Sequence, residues 1–217
     1  MKFVIFSDIH GNQHAFKEFL KMLVMEDADK VIFCVDIMGY YYGQEEIVCQ
    51  LQRMNNLLAV RGNHDEFAIN ISNGLLDKKC IISRYGQSYR YITNNVKSYI
   101  ESLPNIIEFE IDGVNYAIMH GYPIDYLNGR IYPVDDITEQ LINGYKKYNV
   151  VFCGHTHFRM DRTSGKTRII NPGSLGQQRD GKGFCYAVYN TVSGNLKYKE
   201  VNCKLKLNRN IIKKHYQ

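Results

Sequence analysis

The sequence predicts an α/β fold in which two sheets pack against each other with helices outside. Two observations lead to this prediction. In the first half, short apolar runs alternate with stretches whose apolar residues recur at helical spacing, and in the second half strand-like runs predominate. A wholly apolar run is typical of a strand buried on both faces, and such strands alternating with helices form parallel sheets with right-handed crossovers.

The first half contains the predicted crossover units. In order, they are a strand at 2–7, a helix at 12–27, a strand at 31–35, a helix at 44–54, a strand at 57–60 and a helical stretch at 65–103. The helix at 12–27 is well marked, because Phe16, Phe19 and Leu23 recur at helical spacing. The helical stretch ends before Pro104, since proline cannot continue a helix.

The second half predicts a hairpin followed by further strands. Asp112-Gly113 is a favoured two-residue turn and joins the runs 106–111 and 114–120. A helix at 134–148 follows, and then strands at 150–153, 167–171, 185–190 and 196–201. No repeat, low-complexity segment or linker divides the chain. We therefore predict a single domain over 1–203 and a basic tail over 204–217.

The charge distribution disfavours a dedicated nucleic-acid binder. The formal net charge is +5, and the last fourteen residues contain five basic residues and no acidic one. The rest of the chain is nearly neutral, whereas nucleic-acid binders carry a basic face. The favoured interpretation of the tail is a solvated terminus, and contact with an anionic partner is the alternative.

The sequence also indicates an intracellular location. The apolar run after Lys2 is too short for a secretory signal, and Asp8 interrupts it. No later run approaches the ~18 apolar residues of a membrane span. None of the six cysteines forms a CxxC pair, and we expect them to be reduced. We expect a soluble, cytoplasmic protein that does not contact a membrane.

Five apolar runs each end in a potential metal ligand. The segments that follow them are Asp8-Ile9-His10, Asp36, Asn63-His64, His120 and His155-Thr156-His157. In α/β sheets ligands bind at the carboxyl ends of the strands, so we expect these side chains to converge. Residues two apart in an extended segment point to the same side, which allows each Asp-x-His or His-x-His pair to face one site.

The chemistry of this set favours transition metals. The seven candidate ligands are Asp8, His10, Asp36, Asn63, His120, His155 and His157. Imidazole and oxygen ligands without thiolate suit Mn, Fe, Zn, Co or Ni better than a structural zinc, Ca or Mg. Seven ligands exceed one tetrahedral site, and two ions that share a carboxylate would use them. Each residue alone could be a structural histidine, a helix cap or a turn, but five such coincidences are improbable.

The motifs together resemble those of the calcineurin-like metallophosphoesterases. They are Asp8-x-His10, Asp36, Gly62-Asn63-His64-Asp65, His120-Gly121 and Gly154-His155-x-His157, and the resemblance runs from residue 3 to about residue 176. Asn171-Pro172-Gly173-Ser174 resembles the segment that closes the site in the small bacterial and archaeal phosphodiesterases of the family. Val35 stands where the family usually has glycine, and Gly39 stands where the Ser/Thr protein phosphatases have an Asp that supports the catalytic His. The small phosphodiesterase branch is therefore favoured.

The resemblance implies a fold and a set of roles. The fold is a four-layer α/β/β/α sandwich of two mixed sheets flanked by helices. One metal ion would be held by Asp8, His10, Asp36 and His157, and the second by Asp36, Asn63, His120 and His155, with Asp36 bridging. His64 would bind no metal but would contact the phosphate and protonate the leaving oxygen. A hydroxide that bridges the two ions would attack the phosphorus.

Substrate contacts and alternative functions are less constrained by the sequence. Arg61, Arg130 and Arg179 could bind phosphate, and Tyr40 and Tyr122 lie beside motif loops where they could line a pocket for a base or an aryl group. We expect a small phosphate ester as substrate. The sequence leaves open both the choice between a monoester and a diester and whether the chain forms a homo-oligomer. The alternatives are an interaction scaffold with a degraded site, which the complete ligand set disfavours, and a nuclease, which the near-neutral body disfavours.

Overall fold

Two five-stranded sheets form the centre of the protein, which is described here over residues 1–203 from a computed structural model. The predicted tail at 204–217 lies outside the described residues. The strands of the first sheet are β1 (Lys2–Phe6), β2 (Lys30–Phe33), β3 (Leu57–Ala59), β9 (Cys185–Asn190) and β10 (Leu196–Glu200). Their order is β10-β9-β1-β2-β3, with β1, β2 and β3 parallel and β9 antiparallel to both of its neighbours.

The second sheet is also mixed. Its strands are β4 (Ile106–Ile111), β5 (Val114–Met119), β6 (Val150–Phe152), β7 (Arg159–Ser164) and β8 (Thr167–Pro172). Their order is β4-β5-β6-β8-β7, in which β5, β6 and β8 are parallel and the two edge strands are antiparallel. The register of β4 and β5 pairs Ile111 with Val114, which confirms the predicted hairpin around Asp112-Gly113.

Helices flank the two sheets. They are α1 (Gln13–Glu26), α2 (Gln44–Leu51), α3 (Asn63–Ser72), α4 (Lys78–Tyr85), α5 (Asn94–Ser102) and α6 (Glu139–Tyr145), with a 3-10 turn at Gln87–Arg90. The predicted α/β/β/α sandwich is confirmed. Within the part of the chain that is described, every helix is too short or too polar to cross a membrane.

Aromatic side chains join the layers. The ring of Phe3 on β1 lies 6.1 Å from that of Phe109, 5.7 Å from Tyr116 and 6.2 Å from Phe152, all on the second sheet. These edge-on contacts fill the space between the two inner faces. On the outer face of the first sheet, Phe6 lies 4.6 Å from Phe19 of α1. These contacts fix the carboxyl ends of the parallel strands of one sheet relative to those of the other.

Three elements differ from the sequence predictions. The stretch at 65–103 is not one helix but α3, α4, the 3-10 turn and α5. Gly74 and Gly86 adopt positive φ in the breaks, a conformation that ends a helix. The helix predicted at 134–148 is limited to α6, because Tyr132 and Asp135 lie in a loop whose carbonyls accept from Arg162. Strand β7 was not predicted, since its polar sequence RMDRTS lacks an apolar run.

Candidate metal centre

The ends of five strands meet at one buried site that spans both sheets. Asp8 and His10 follow β1, Asp36 follows β2, Asn63 and His64 open α3 after β3, His120 follows β5, and His155 and His157 follow β6. All eight side chains are buried. Across the two sheets, His10 Nε2 lies 3.0 Å from His157 Nε2. His120 Nε2 lies 3.0 Å from both Asn63 Oδ1 and His155 Nδ1. The structure therefore brings together the seven predicted ligands and His64.

Three overlapping groups in this site could hold a metal ion. The first is Asp8, His10 and His157, the second is His10, Asp36 and His64, and the third is Asp36, His120 and His155. Within each group the potential ligand atoms all lie within 4.8 Å of one another. Asp36 and His10 each belong to two groups. Because the second group contains His64, distance alone does not separate that residue from the predicted ligands.

Two buried carboxylate oxygens at this site lack a hydrogen bond from any residue that the structure describes. They are Asp8 Oδ1 and Asp36 Oδ2, which approach His157 Nε2 and His120 Nε2 respectively, at 3.3 Å each. A buried carboxylate oxygen without a donor is costly, and coordination of a cation would compensate it. The second oxygens are engaged, since Asp8 Oδ2 accepts from the His155 N–H and Asp36 Oδ1 accepts from the His64 N–H. These residues fit a cationic group.

Backbone carbonyls orient three of the histidines. The Nδ1 atoms of His10, His120 and His157 lie 2.7, 2.7 and 2.6 Å from the carbonyl oxygens of Met38, Cys34 and Gln177. A carbonyl only accepts, so each Nδ1 carries a proton, and Nε2 is the nitrogen that faces the site. A ring held in this way presents Nε2 to a metal ion once that nitrogen carries no proton. His155 is turned the other way, with Nδ1 toward His120 and Nε2 2.8 Å from Arg130 Nε.

The ionisation states follow from burial and from the mutual charges. Burial acts to raise the pKa of Asp36, but the neighbouring His120 and His64 lower it well below its usual value. Burial acts to lower the pKa of His120, and the charge of Asp36 raises it to about 9. Burial lowers the pKa of His155 to about 3. An ion that binds to His120 must therefore displace a proton, whereas His155 is already neutral.

Asp65 holds together the loops that carry the ligands. Its Oδ1 accepts from the N–H groups of Ile37 and Met38 at 3.0 and 2.9 Å, and its Oδ2 accepts from the Gly62 N–H at 3.3 Å. Burial raises the pKa of this carboxyl to about 7. A Cβ at Gly62 would lie 2.1 Å from Asp36 Oδ1, so only glycine allows the two loops to approach this closely. The motif Gly62-Asn63-His64-Asp65 thus has a structural as well as a chemical part.

The backbone of the site is left-handed at six residues that are not glycine. They are Asp8, His10, Val35, Asp36, His155 and His157, with φ between 50° and 69°. Such conformations cost of order 1–3 kcal/mol each and concentrate at functional sites. The case of Val35 is unusual, because a β-branched residue rarely adopts positive φ. Strain is therefore concentrated at three of the strand ends that carry the predicted ligands.

We expect Val35→Gly to be more stable than Val35→Ala by about 1 kcal/mol, because both lose the side chain but only glycine relaxes the left-handed backbone. Urea unfolding of the metal-free variants measures the difference. Val31, buried within β2, provides the matched pair: there the alanine variant should be the more stable, since glycine weakens a strand by roughly 0.5–1 kcal/mol. If the alanine variant were the more stable at position 35 as well, Val35 would not be strained.

His64 lies in an aromatic surrounding that the sequence did not reveal. Its ring contacts Tyr85 at 4.6 Å between centroids and Phe67 at 5.5 Å. Its Nδ1 lies 2.7 Å from the hydroxyl of Tyr89, which is fully buried. Burial lowers the pKa of His64 to about 4. Tyr85 and Tyr89 were missed because they lie in the stretch interpreted as a continuous helix, which gave no signal of a turn toward His64.

The five residues predicted to contact the substrate differ in their positions, and Arg130 lies at the site, where its Nε donates to His155 Nε2. Tyr40 lies beside the site, with its ring edge-on to His10 at 4.8 Å and its hydroxyl 3.3 Å from Arg179 Nη2. Arg61 instead pairs with Glu66 at 3.3 Å and donates to Asn105. The side chain of Tyr122 packs against the buried residues on the outer face of the second sheet, among them Ala117 and Val151. The structure thus brings Tyr40 and Arg179 to the site but gives Arg61 and Tyr122 other surroundings.

The fold and the buried Asp/His cluster agree with a known class of metal-binding hydrolases. The chain belongs to the calcineurin-like phosphoesterase superfamily, whose domain model matches residues 1–194. Members of this family bind divalent metals, and the three groups described above could hold such ions. The resemblance seen in the sequence motifs is thereby confirmed.

Particular relatives are found among archaea and bacteria. The chain is 30% identical to an uncharacterized protein of Methanocaldococcus jannaschii, MJ0912, over 82% of this chain and 77% of that one. It is 24% identical to the phosphodiesterase MJ0936 of the same organism, over 80% and 83% of the two chains. A metallophosphoesterase from Sphaerobacter thermophilus is similar in structure, with a TM-score of 0.75, 25% identity, and coverage of 94% of this chain and 90% of that one.

Proposed function

We propose that this protein is a dinuclear metal-dependent phosphoesterase that hydrolyses phosphodiester bonds of small molecules. The single observation that carries the proposal is the pair of buried carboxylate oxygens, Asp8 Oδ1 and Asp36 Oδ2, which face histidine Nε2 atoms and lack hydrogen bonds within residues 1–203. One ion would be held by Asp8, His10, Asp36 and His157, and the other by Asp36, Asn63, His120 and His155. Asp36 would bridge, because its Oδ2 lies 3.3 Å from His120 Nε2 and 4.0 Å from His10 Nε2, one from each proposed ligand set.

The chemistry divides between the ions and the chain. Bound divalent ions would supply a nucleophile from water at neutral pH and would offset the charge of the phosphate. His64 would protonate the departing oxygen through Nε2, since Nδ1 is engaged by Tyr89. An anionic phosphate beside the ring raises the pKa of the histidine and favours its cationic form. Arg179 and Tyr40 would contact the substrate at the edge of the site, where Arg179 is exposed.

The proposal also specifies a preference for diesters over monoesters. The phosphodiesterase MJ0936 supports it as a relative at 24% identity. The position of Gly39 supports it as well, because a Cβ there would lie 2.9 Å from His10 Nδ1, which leaves no room for the Asp of the Ser/Thr protein phosphatases. We further propose Mn, Fe, Zn, Ni or Co as the ions, since the ligands mix imidazole with hard oxygen.

Hydrolysis of chromogenic esters by metal-stripped protein tests the proposal. Mn, Ni, Co, Zn and Mg are added one at a time, with bis(p-nitrophenyl) phosphate and p-nitrophenyl phosphate as the diester and the monoester. We expect turnover only with transition metals and a faster reaction with the diester. Asp8→Asn, purified in the same way, controls for a contaminating phosphatase and should be inactive. No turnover with any metal, despite two ions bound per chain, would favour the scaffold alternative.

A further inference from the structure

The hydroxyl of Tyr89 is bonded to His64 in two ways. It lies 2.7 Å from His64 Nδ1 and 3.4 Å from the carbonyl oxygen of the same residue. The O–H can donate to this carbonyl while its oxygen accepts from Nδ1–H. Tyr89 comes from the 3-10 turn Gln87–Arg90, whereas His64 lies in the first turn of α3. Both side chains are buried, so water does not compete for this bond.

This arrangement sets His64 apart from the predicted ligands. His10, His120 and His157 are anchored through Nδ1 by backbone carbonyls. His64 has a side-chain hydroxyl at the same position of its ring. Gly39 leaves space beside this nitrogen for the hydroxyl of Tyr89, because a Cβ at Gly39 would lie 3.0 Å from His64 Nδ1. His64 is therefore held by a side chain, and substitution of Tyr89 by phenylalanine deletes the bonding oxygen without changing the backbone.

We infer that Tyr89 is a positioning residue for His64, which selects one of the two ring orientations and directs Nε2 toward the leaving group. This inference rests on the proposed function. The rings of Tyr85 and Phe67 restrict His64 by packing, but packing hardly distinguishes two orientations that differ by a half-turn of the ring. The hydrogen bond of Tyr89 does distinguish them, because a half-turn would place a carbon atom against the hydroxyl.

The proton balance is consistent with this role. As the bond from phosphorus to the leaving oxygen breaks, its electron pair stays on that oxygen, which takes the proton from Nε2 of the cationic ring. The ring becomes neutral with its remaining proton on Nδ1. That proton stays bonded to the oxygen of Tyr89, whose own proton points to the His64 carbonyl. Tyr89 neither gains nor loses a proton in the step.

Tyr89→Phe tests the inference, because it deletes only the hydroxyl. For histidines that bind metal, loss of the partner that orients the ring typically costs roughly 10–100-fold in metal affinity or activity, and we expect an effect of this order for His64. We expect kcat for an alkyl phosphodiester, a poor leaving group, to fall about 30-fold, and that for the p-nitrophenyl diester to fall less than about threefold. KM and bound metal should not change. Tyr145→Phe is the matched control, since Tyr145 is fully buried on the outer face of the second sheet and its hydroxyl lacks a partner among the described residues.

A second readout does not depend on activity. In metal-free protein labelled with ¹⁵N-histidine, long-range ¹H–¹⁵N spectra report which ring nitrogen carries the proton, and the His64 signal is the one that is missing in His64→Ala. We expect the Nδ1–H form in the wild type and a mixed population in Tyr89→Phe. Equal losses on both esters with an unchanged His64 signal would overturn the inference. Absence of turnover in the wild type would overturn the proposed function instead, and the nitrogen spectra would still decide the role of Tyr89.

Discussion

Asp36→Asn is expected to reduce bound metal from two ions to fewer than one per chain and to lower kcat/KM by at least about 10³-fold, or about 4 kcal/mol of transition-state stabilisation. The reason is the position of Asp36 in two of the three potential metal groups. Asparagine keeps an oxygen that can accept from the His64 N–H. It removes the negative charge that Oδ2 presents to His120 and His10.

Metal analysis after gel filtration, together with initial rates on the diester, measures both effects. His157→Ala provides the contrast, because His157 belongs to one group and should cost one ion only. Thermal unfolding of the metal-free proteins checks that each variant is folded. If Asp36→Asn retained two ions per chain, the bridging assignment would be wrong even if activity were lost.

His64→Ala is expected to lower kcat by about 10³-fold on a diester with a poor leaving group, within the 10²–10⁴ range of general acid catalysis. A substrate whose leaving group is a stable anion needs little protonation, so its rate should fall much less. Bound metal should remain at the wild-type level, since the proposal gives His64 no ligand role. Steady-state rates on the two esters and metal content in the same preparations provide the measurement.

The metal content is the sensitive part of this second test, because His64 lies within one of the three potential metal groups. His14→Ala serves as the control, since His14 is an exposed residue of α1. Loss of an ion in His64→Ala would make His64 a ligand and would remove the assignment as proton donor. Retention of the metal together with wild-type turnover on the poor leaving group would also contradict the proposal.

The sequence was sufficient to predict the fold and the convergence of the site, because both depend on local patterns. Asp8, Asp36 and His120 each follow a buried apolar run, and parallel strands bring their carboxyl ends to the same edge. The hairpin at Asp112-Gly113 depends on a two-residue turn and was equally accessible. The family motifs then suggested roles for these residues, which stay predictions.

The features that the sequence did not predict depend on how the chain turns between helices and strands. Tyr89 reaches His64 because the chain breaks at Gly86, and a helical pattern does not show which way a break turns. Strand β7 pairs through its backbone at a sheet edge, and its polar side chains left no pattern to detect. The left-handed backbone of Val35 belongs to the end of β2, and no local pattern around a valine predicts positive φ.

The site is shared between the two sheets, which has a consequence for folding. Asp8 and His10 come from the first sheet and His155 and His157 from the second, and they are in contact although nearly 150 residues separate them in the chain. The complete set of predicted ligands comes together only after the sheets have docked, so an ion held by them would bind the native state and not its separated halves. By mass action, the free energy of unfolding would then rise with the concentration of free metal. The increase is about 2.7 kcal/mol when the metal concentration is 100 times the dissociation constant. A bound ion would act as a late, reversible cross-link, so the stability of the folded chain would depend on free metal as its activity would.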